Sequence, residues 1–227
     1  MICIPVVATT HEAALKMMER GYDEADIIEI RLDAIPKPDL KRLLGGARGK
    51  ILVTHRSQAE GGASRGTDEE RVALLKEAVK LGADYVDIEG AMDKALICEL
   101  KQTIAAFHGA TKLIVSWHDF SGTPPLGMLR KKFRSLMACG ADIVKIVTFA
   151  RKMEDNFRLL SLIPFAKRRG QEVIAFCMGD LGRSSRVLAL LMGSYLTFAA
   201  LEEGAESAPG QMTVVQMRQA LALLKNE

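Results

Sequence analysis

Short apolar runs alternate with helix-like stretches eight times along the 227 residues. The runs predict strands at 2–7, 26–32, 51–54, 84–88, 112–116, 142–147, 172–178 and 194–201. Helices are predicted at 11–20, 37–44, 68–81, 92–107, 126–139, 154–169, 181–192 and 212–225. Eight strand-then-helix units of this length predict a closed (β/α)8 barrel, the TIM barrel. A doubly wound open sheet is the alternative, but it more often carries a glycine-rich fingerprint after its first strand, and none is present here.

Composition limits the domain count and the class of partner. The chain is 48% hydrophobic, enough for one sizeable core, and its length predicts a single α/β domain over residues 1–227. The net charge of +3 comes without a basic block, so nucleic acid is not an expected partner, whereas internal arginines suit an anionic small molecule. Four scattered cysteines without metal spacing are expected to be buried thiols in a reducing compartment: Cys3, Cys98, Cys139 and Cys177.

Targeting signals are missing from the sequence. The start, MICIPVVATT, lacks the basic residues and long apolar run of a signal peptide. The longest uncharged run, 187–201, is shorter than a membrane span and is interrupted at Gly193. We therefore expect a cytoplasmic protein without a membrane segment. Four glycines stand where predicted helices should stop: Gly82, Gly109, Gly140 and Gly170.

One predicted strand carries a lysine among apolar neighbours. In ADIVKIVT, Ile143, Lys145 and Val147 share one side and the residues between them share the other. Lysine is rarely buried without a reason, so two interpretations compete. Either the amine of Lys145 reaches solvent along its alkyl chain, or burial and nearby cations activate it to form a Schiff base with a carbonyl carbon.

Polar residues end or follow other strands, which is where a TIM barrel has its active site. Glu29, Arg31 and Asp33 share one face of the second strand. In a barrel these charges would point inward, where they must pair or bind substrate. Arg56 and Glu60 follow the third strand and form either an ordinary loop ion pair or part of a polar ligand site.

Acids and a histidine follow on the next two strands. Asp87 and Glu89 share an alternating face of the fourth strand, and His118 stands at the end of the fifth. A lone histidine is more often structural, but the lysine-bearing strand that follows favours general acid/base catalysis by His118. The other histidines are interpreted as surface or supporting residues: His11, His55 and His108.

The segment MGDLGRSSR after the seventh strand suits an anion. Gly179 and Gly182, with the serines that follow, resemble a backbone cradle at a helix N-terminus, often a phosphate site in barrels. Arg183 and Arg186 could instead hold a carboxylate in a bidentate pair.

Small residues dominate the segment 202–211 after the eighth strand. It predicts either a flexible surface loop or a lid that closes over substrate. In the second case Ser207 and Gln211 are its hydrogen-bonding tips.

Seven segments, in this order, resemble one enzyme family: EIRLD, VTHRSQAEGG, DYVDIE, SWHDF, DIVKI, MGDLGRSSR and SAPGQ. The family is type I 3-dehydroquinate dehydratase of the shikimate pathway, and the resemblance covers nearly the whole chain. Each segment alone is a weak signal, whereas SWHDF, the lysine strand and SAPGQ together are highly specific. The resemblance implies a (β/α)8 barrel that converts 3-dehydroquinate to 3-dehydroshikimate and water. It also implies a homodimer, no metal or organic cofactor, and a place in chorismate and aromatic amino acid biosynthesis.

The resemblance also implies residue roles. Lys145 would be the Schiff-base lysine and His118 the general acid/base, with Glu60 orienting the histidine. Arg186 would bind the substrate carboxylate. The substrate-binding set implied by the resemblance is Glu29, Arg31, Arg56, Arg186, Ser207 and Gln211.

Two other functions remain open from the sequence. A class I aldolase would use the same lysine but should bind phosphate near Gly179 and Gly182. A catalytically idle barrel could bind shikimate-pathway acids as a sensor, but binding needs neither Lys145 nor His118.

Overall fold

Eight parallel strands form one sheet in a computed structural model that describes residues 1–107 and 110–225. They are β1 (Ile2–Val6), β2 (Ile27–Arg31), β3 (Lys50–Thr54), β4 (Tyr85–Glu89), β5 (Lys112–Asp119), β6 (Ile143–Phe149), β7 (Glu172–Met178) and β8 (Thr197–Phe198). The strands lie side by side in the order β7-β6-β5-β4-β3-β2-β1-β8. The two edge strands, β7 and β8, approach each other. Tyr195 N, just before β8, donates to Val173 O of β7 at 2.8 Å, and the Phe176 and Phe198 rings are 6.1 Å apart. The sheet is a nearly closed barrel, which confirms the predicted fold class.

Nine α-helices alternate with the strands in the part of the chain that the structure describes. They are α1 (His11–Gly21), α2 (Leu40–Leu44), α3 (Asp68–Lys80), α4 (Lys94–Ala106), α5 (Leu126–Ala138), α6 (Met153–Leu160), α7 (Leu162–Lys167), α8 (Arg183–Leu191) and α9 (Val214–Lys225). Single 3-10 turns follow β2, β3 and β7, at Leu32–Ala34, Gln58–Glu60 and Asp180–Gly182. These turns place polar residues at the carboxyl ends of the strands. No helix in residues 1–107 or 110–225 is long and apolar enough to cross a membrane.

The alternation along β4 shows how the sheet separates core from site. Val86 and Ile88 belong to the hydrophobic core, whereas Asp87 and Glu89 between and after them are buried charges. Because successive strand residues face opposite sides, the apolar set packs on one side of the sheet and the charged set faces the other.

Prolines explain why two predicted helices differ from the structure. The helix predicted over 154–169 is two helices, α6 and α7, because Pro164 has no N–H to donate to the carbonyl four residues earlier. The helix predicted over 37–44 begins only at Leu40, where the Asp39 side chain accepts from Arg42 N at 3.1 Å. Pro38 disfavours helical backbone at the residue before it, which delays this helix.

Two predicted strands differ from the observed strands in length by three residues or more. The eighth was predicted over 194–201 but has two residues, because Ala200 pairs with Thr213 instead of continuing along β1. The fifth runs to Asp119 rather than Ser116, so His118 lies within a strand.

Glycine and cysteine predictions had mixed outcomes. The helix-ending glycines Gly82, Gly140 and Gly170 have φ values of 87°, 79° and 65°, as the helix-stop prediction requires. Gly109 and His108 lie outside the described residues. The prediction that all four cysteines are buried was wrong for two of them. Cys98 is exposed on α4 and Cys139 is half-buried, whereas Cys3 and Cys177 are buried.

Candidate active site

A cavity opens at the carboxyl ends of the strands. All nine residues predicted for the site line it: Lys145, His118, Glu60, Glu29, Arg31, Arg56, Arg186, Ser207 and Gln211. Its apolar walls are Phe120, Val147, Phe176, Met178 and Phe198. The structure therefore brings together residues that are up to 182 positions apart in the chain.

Lys145 lies in the middle of β6 and is 4% exposed. Its Nζ donates to Asp87 Oδ2 at 2.9 Å and lies 4.4 Å from the centroid of the Phe198 ring. The interpretation in which the amine reaches solvent is therefore wrong. The amine is held at one point of the cavity wall.

Asp87 connects Lys145 with the neighbouring strands. Its Oδ1 lies 2.7 Å from Arg56 Nη2 and accepts from Ser116 Oγ at 2.6 Å. Burial disfavours the charge, but Arg56 and Lys145 outweigh this and hold the pKa of Asp87 below its usual range. Sequence reasoning noted Asp87 on its strand face but assigned it no role. Lys145, its partner, is 58 positions away in the chain, so the sequence could not show the pairing. The alternation along β4 was the only signal that the Asp87 side chain faces the inside of the barrel.

His118 and Glu60 form a second pair. Glu60 Oε2 is 2.8 Å from His118 Nδ1 and accepts from the His118 backbone N–H at 3.1 Å. Nδ1 is thereby engaged, which leaves Nε2 free to exchange a proton with a ligand. Burial, with the charges of Arg56 and Lys145, lowers the pKa of His118 well below its usual value, so the ring is neutral at pH 7. Burial likewise raises the pKa of Glu60 to about 7, although the charge on Arg56 opposes this.

Arg56 is surrounded by acids. It is 3% exposed, and its Nη1 lies 3.8 Å from Glu60 and 3.7 Å from Glu89, beside the closer pair with Asp87. Glu89 is shared with Arg71 of α3, at 3.1 Å, and accepts a hydrogen bond from Ser57 N. The contact between Arg56 and Glu60, which the sequence left open as an ordinary loop ion pair, is thus one contact in a buried charge network. Arg71 and Glu89 support the site, and no motif singled out that role.

The charges of β2 meet two different partners. Glu29 accepts from Thr54 Oγ1 at 2.7 Å. Arg31 and Asp33 form a bidentate pair at 2.9 and 2.8 Å. Asp33 also accepts from Arg56 N and so fixes the start of the loop after β3. Glu29 and Arg31 line the cavity, whereas Asp33 organises the loop beside it.

Arg186 is the exception among the buried charges. It is 1% exposed, and its one hydrogen bond among the described residues runs from Nη2 to Pro209 O at 3.1 Å. Within the described chain no carboxylate lies within salt-bridge distance, and Nε is buried without a partner. Burial lowers the pKa of Arg186 to about 10. A buried guanidinium that lines a cavity and lacks a counter-ion suits an anionic ligand group.

The proposed phosphate cradle and the second arginine do not gather at the cavity. Gly179 N donates to Pro209 O at 3.1 Å, and Gly182 N donates to Gly179 O at 2.9 Å. Arg183 donates to Gln216 Oε1 on the surface. These donors are already used within the fold, so the geometry favours a carboxylate at Arg186 over a phosphate at the glycines.

The loop 202–211 is seated against the cavity. Gln211 Nε2 donates to Ser207 Oγ at 3.1 Å, and Gln211 Oε1 accepts from Ser207 N at 2.7 Å. Gly210 has a φ of 77°, and a Cβ there would lie 2.2 Å from Gly179 O. Only glycine fits this contact, which holds the loop over the strand ends.

Across the described ranges, no three His, Cys, Asp or Glu side chains are arranged to hold a metal ion.

The sequence profile of the type I 3-dehydroquinase family matches residues 2–227. The chain belongs to this family. A 3-dehydroquinate dehydratase from Syntrophobacter fumaroxidans is 36% identical over 233 residues, covering 99% of this chain and 96% of that protein. One from Methanococcus maripaludis strain S2 is 37% identical and covers 99% and 100%.

Solved type I 3-dehydroquinases share the fold. The 3-dehydroquinate dehydratase of Geobacillus kaustophilus superposes with a TM-score of 0.90 at 30% identity, covering 99% of this chain and 91% of that one. The type I enzyme of Clostridium difficile, solved with covalently modified comenic acid, gives 0.89 at 28% identity, covering 100% and 92%. A 3-hexulose-6-phosphate synthase gives only 0.63 at 16% identity and shares the barrel alone.

Proposed function

We propose that this chain is a 3-dehydroquinate dehydratase, a carbon–oxygen lyase that forms 3-dehydroshikimate and water in the shikimate pathway. Residues 1–227 would form one catalytic domain, since the described strands share one sheet and one hydrophobic core. Family membership and the names of the relatives support the activity. The observation that carries the proposal is a nucleophile, a neutral base and a cation that has no carboxylate partner among the described residues, all in one cavity: Lys145, His118 and Arg186.

Substrate recognition would begin with Arg186. The substrate carries a carboxylate, and a buried guanidinium without a counter-ion is stabilised when such a group arrives. The pair would fix the ring relative to β6, with Glu29, Arg31 and Arg56 bonding its hydroxyl groups. Ser207 and Gln211 would close the loop over the bound ring and exclude water.

The first chemical step would join Lys145 to the substrate ketone. The Lys145 ammonium group first gives up a proton, and the resulting amine attacks the carbonyl carbon to form a C–N bond. The carbonyl oxygen then leaves as water with that proton and a second one from the nitrogen, which gives an iminium. Asp87, 2.9 Å from Nζ, would hold the amine at the attacking position. The Clostridium difficile relative with covalently modified comenic acid supports a covalent mechanism.

The second step would use His118 twice. Its Nε2 takes the proton from the carbon beside the iminium, and the C–H electrons form an enamine. The enamine then expels the hydroxyl group on the next carbon, which leaves as water with the proton returned by His118. Water hydrolyses the remaining iminium, frees the product and restores Lys145. General acid/base help of this kind contributes about 10²–10⁴-fold.

Glu60 would be the positioning residue for His118. Its two contacts, to Nδ1 and to the backbone N–H, fix the ring and direct Nε2 towards the cavity. The iminium on Lys145 is itself the electron sink, so no metal or organic cofactor is needed in this scheme. We expect dialysis against EDTA to leave turnover unchanged.

Trapping with borohydride tests the mechanism. The protein is mixed with 3-dehydroquinate and borohydride, and its intact mass and peptide map are measured. We expect an adduct on Lys145, none in Lys145→Ala, and an undiminished adduct in the matched control Lys112→Ala. Lys112 begins β5 at the opposite end of the barrel. Ordinary turnover by Lys145→Ala would refute the covalent step.

Two further results separate the alternatives. His118→Ala should form the adduct without efficient turnover, whereas a sensor barrel would show neither adduct nor turnover in the wild type. Thermal protection by 3-dehydroquinate but not by sugar phosphates would exclude the aldolase. An aldolase should bind phosphate near Gly179, where the backbone donors are already used within the fold.

Assembly and location complete the proposal. Family resemblance implies a cytoplasmic homodimer, and light scattering of the purified protein measures its mass in solution. A monomer with full turnover would remove the dimer from the proposal and leave the chemistry intact.

A further inference from the structure

Three arginines surround one phenylalanine ring on the outside of the barrel, away from the strand ends. The guanidinium carbons of Arg130, Arg134 and Arg169 lie 4.9, 5.6 and 3.7 Å from the centroid of the Phe165 ring. Arg130 and Arg134 belong to α5, Phe165 belongs to α7, and Arg169 follows α7. We call Arg130, Arg134 and Arg169 the ring arginines.

The ring arginines are held in place by packing. Phe165 is buried and meets Phe133 of α5 edge-to-face, with centroids 5.6 Å apart. All three guanidinium groups lie within cation–π distance of the ring, which restrains them, and Arg169 Nη1 also donates to Phe165 O at 3.0 Å. Fixed guanidinium groups lose less entropy when they bind a ligand than mobile ones.

These cations lack acidic partners within the described chain. Neither α5 nor the chain from 157 to 171 contains an aspartate or glutamate. The acids that flank these segments are engaged: Asp142 accepts from Leu113 N at 2.7 Å, and Glu172 pairs with Lys167 at 3.2 Å. Three like charges at one ring repel each other, and an anion between them would offset that repulsion.

Most donors of the ring arginines are unused by the protein. Each guanidinium carries five N–H donors, and the Arg169 bond to Phe165 is the single protein hydrogen bond of all three among the described residues. Arg130 Nε is buried and has no partner there. Fixed, forked donors with a net positive charge match the oxygens of a phosphate group.

We propose that the ring arginines form a binding site for a phosphate dianion, either inorganic phosphate or the phosphate of a small metabolite. The site lies on the helix layer and is independent of the dehydratase proposal. It uses none of the residues that line the cavity at the strand ends.

The test follows the arginine Nε–H signals by NMR while inorganic phosphate is added at constant ionic strength in chloride buffer. The ring variant carries Arg134→Gln and Arg169→Gln, both at exposed positions. The matched control carries Lys131→Gln and Arg168→Gln, which lie one or a few positions away and remove the same charge. Unchanged melting temperatures and turnover show that both variants fold.

We expect phosphate to shift the signals of the wild type and the control alike. Affinity in the ring variant should fall at least about tenfold, the usual worth of a lost charge-assisted hydrogen bond. Equal weakening in both variants would mean general attraction to a positive surface and would overturn the site. The site would also be overturned if neither variant changed phosphate binding, or if the wild type did not bind phosphate.

Discussion

Replacing Arg186 with methionine removes a buried positive charge that has no carboxylate partner among the described residues. Burial lowers the pKa of this side chain from its ordinary value to about 10. The unfolded chain therefore holds the proton more tightly than the folded chain. The charge opposes folding fully below about pH 10, and this cost fades as pH rises above that value.

The magnitude follows from that difference. At about 1.4 kcal/mol for each pKa unit, the charge of Arg186 costs about 3 kcal/mol of unfolding free energy at neutral pH. Methionine forfeits the hydrogen bond to Pro209 O, worth about 1 kcal/mol. Its sulfur contact with the Phe176 ring offsets much of the lost cation–π contact. We expect Arg186→Met to be more stable by about 2 kcal/mol, which raises Tm by roughly 4–8 °C in a chain of this size.

Arg56→Met is the matched control, because Arg56 is equally buried but surrounded by acids. Its removal leaves Asp87 and Glu89 buried with fewer counter-charges, so we expect a loss of about 3–5 kcal/mol. Thermal and urea unfolding of both variants without ligand measure the two changes. Turnover and ligand protection should fall in Arg186→Met despite its higher Tm, because the substrate carboxylate loses its partner. A lower Tm for Arg186→Met, or equal changes in both variants, would refute the reasoning.

Three further predictions concern the same cavity. Glu60→Gln should raise the unfolding free energy by about 3 kcal/mol at pH 8 but by only about 1 kcal/mol at pH 5, as urea titrations at both pH values would measure. The reason is that the Glu60 carboxylate opposes folding increasingly as pH rises from 4.5, its ordinary pKa, to about 7, its pKa in the folded chain. Asp87→Asn should slow borohydride trapping about 10–100-fold, because the amine loses a charge-assisted hydrogen bond; an unchanged trapping rate would contradict that role. Gly210→Ala should raise KM more than Gly204→Ala, since both have positive φ but only Gly210 packs against a backbone carbonyl; equal KM values would show that backbone strain alone matters.

Much of the fold could be predicted from local patterns. Strand and helix periodicities depend on neighbouring residues, so their order predicted the barrel. The break at Pro164 was also readable, because a proline inside a helix removes a backbone donor wherever it stands. The short β8 was not readable, since it depends on Ala200 pairing with Thr213 rather than with β1.

The candidate site likewise has parts that the sequence predicted and parts that it could not. Residues at strand ends could be named because parallel strands in a barrel present their carboxyl ends on one face. The partner of Lys145 could not be named from the sequence, because Asp87 is brought near the amine only by the register in which β4, β5 and β6 pair. The ring arginines were likewise invisible, since Phe165 and α5 meet only in the folded chain.

The amino-acid order by itself determined the succession of elements and the chemical groups at their ends, because both depend on short-range periodicity and residue type. It also contained motifs specific enough to resemble one family. Tertiary structure alone decided which charges are neutralised. Both Arg56 and Arg186 are arginines that follow predicted strands. In the part of the chain that the structure describes, however, Arg56 is surrounded by acids and Arg186 is buried without one. The difference arises because pairing and burial depend on side chains brought from distant parts of the chain.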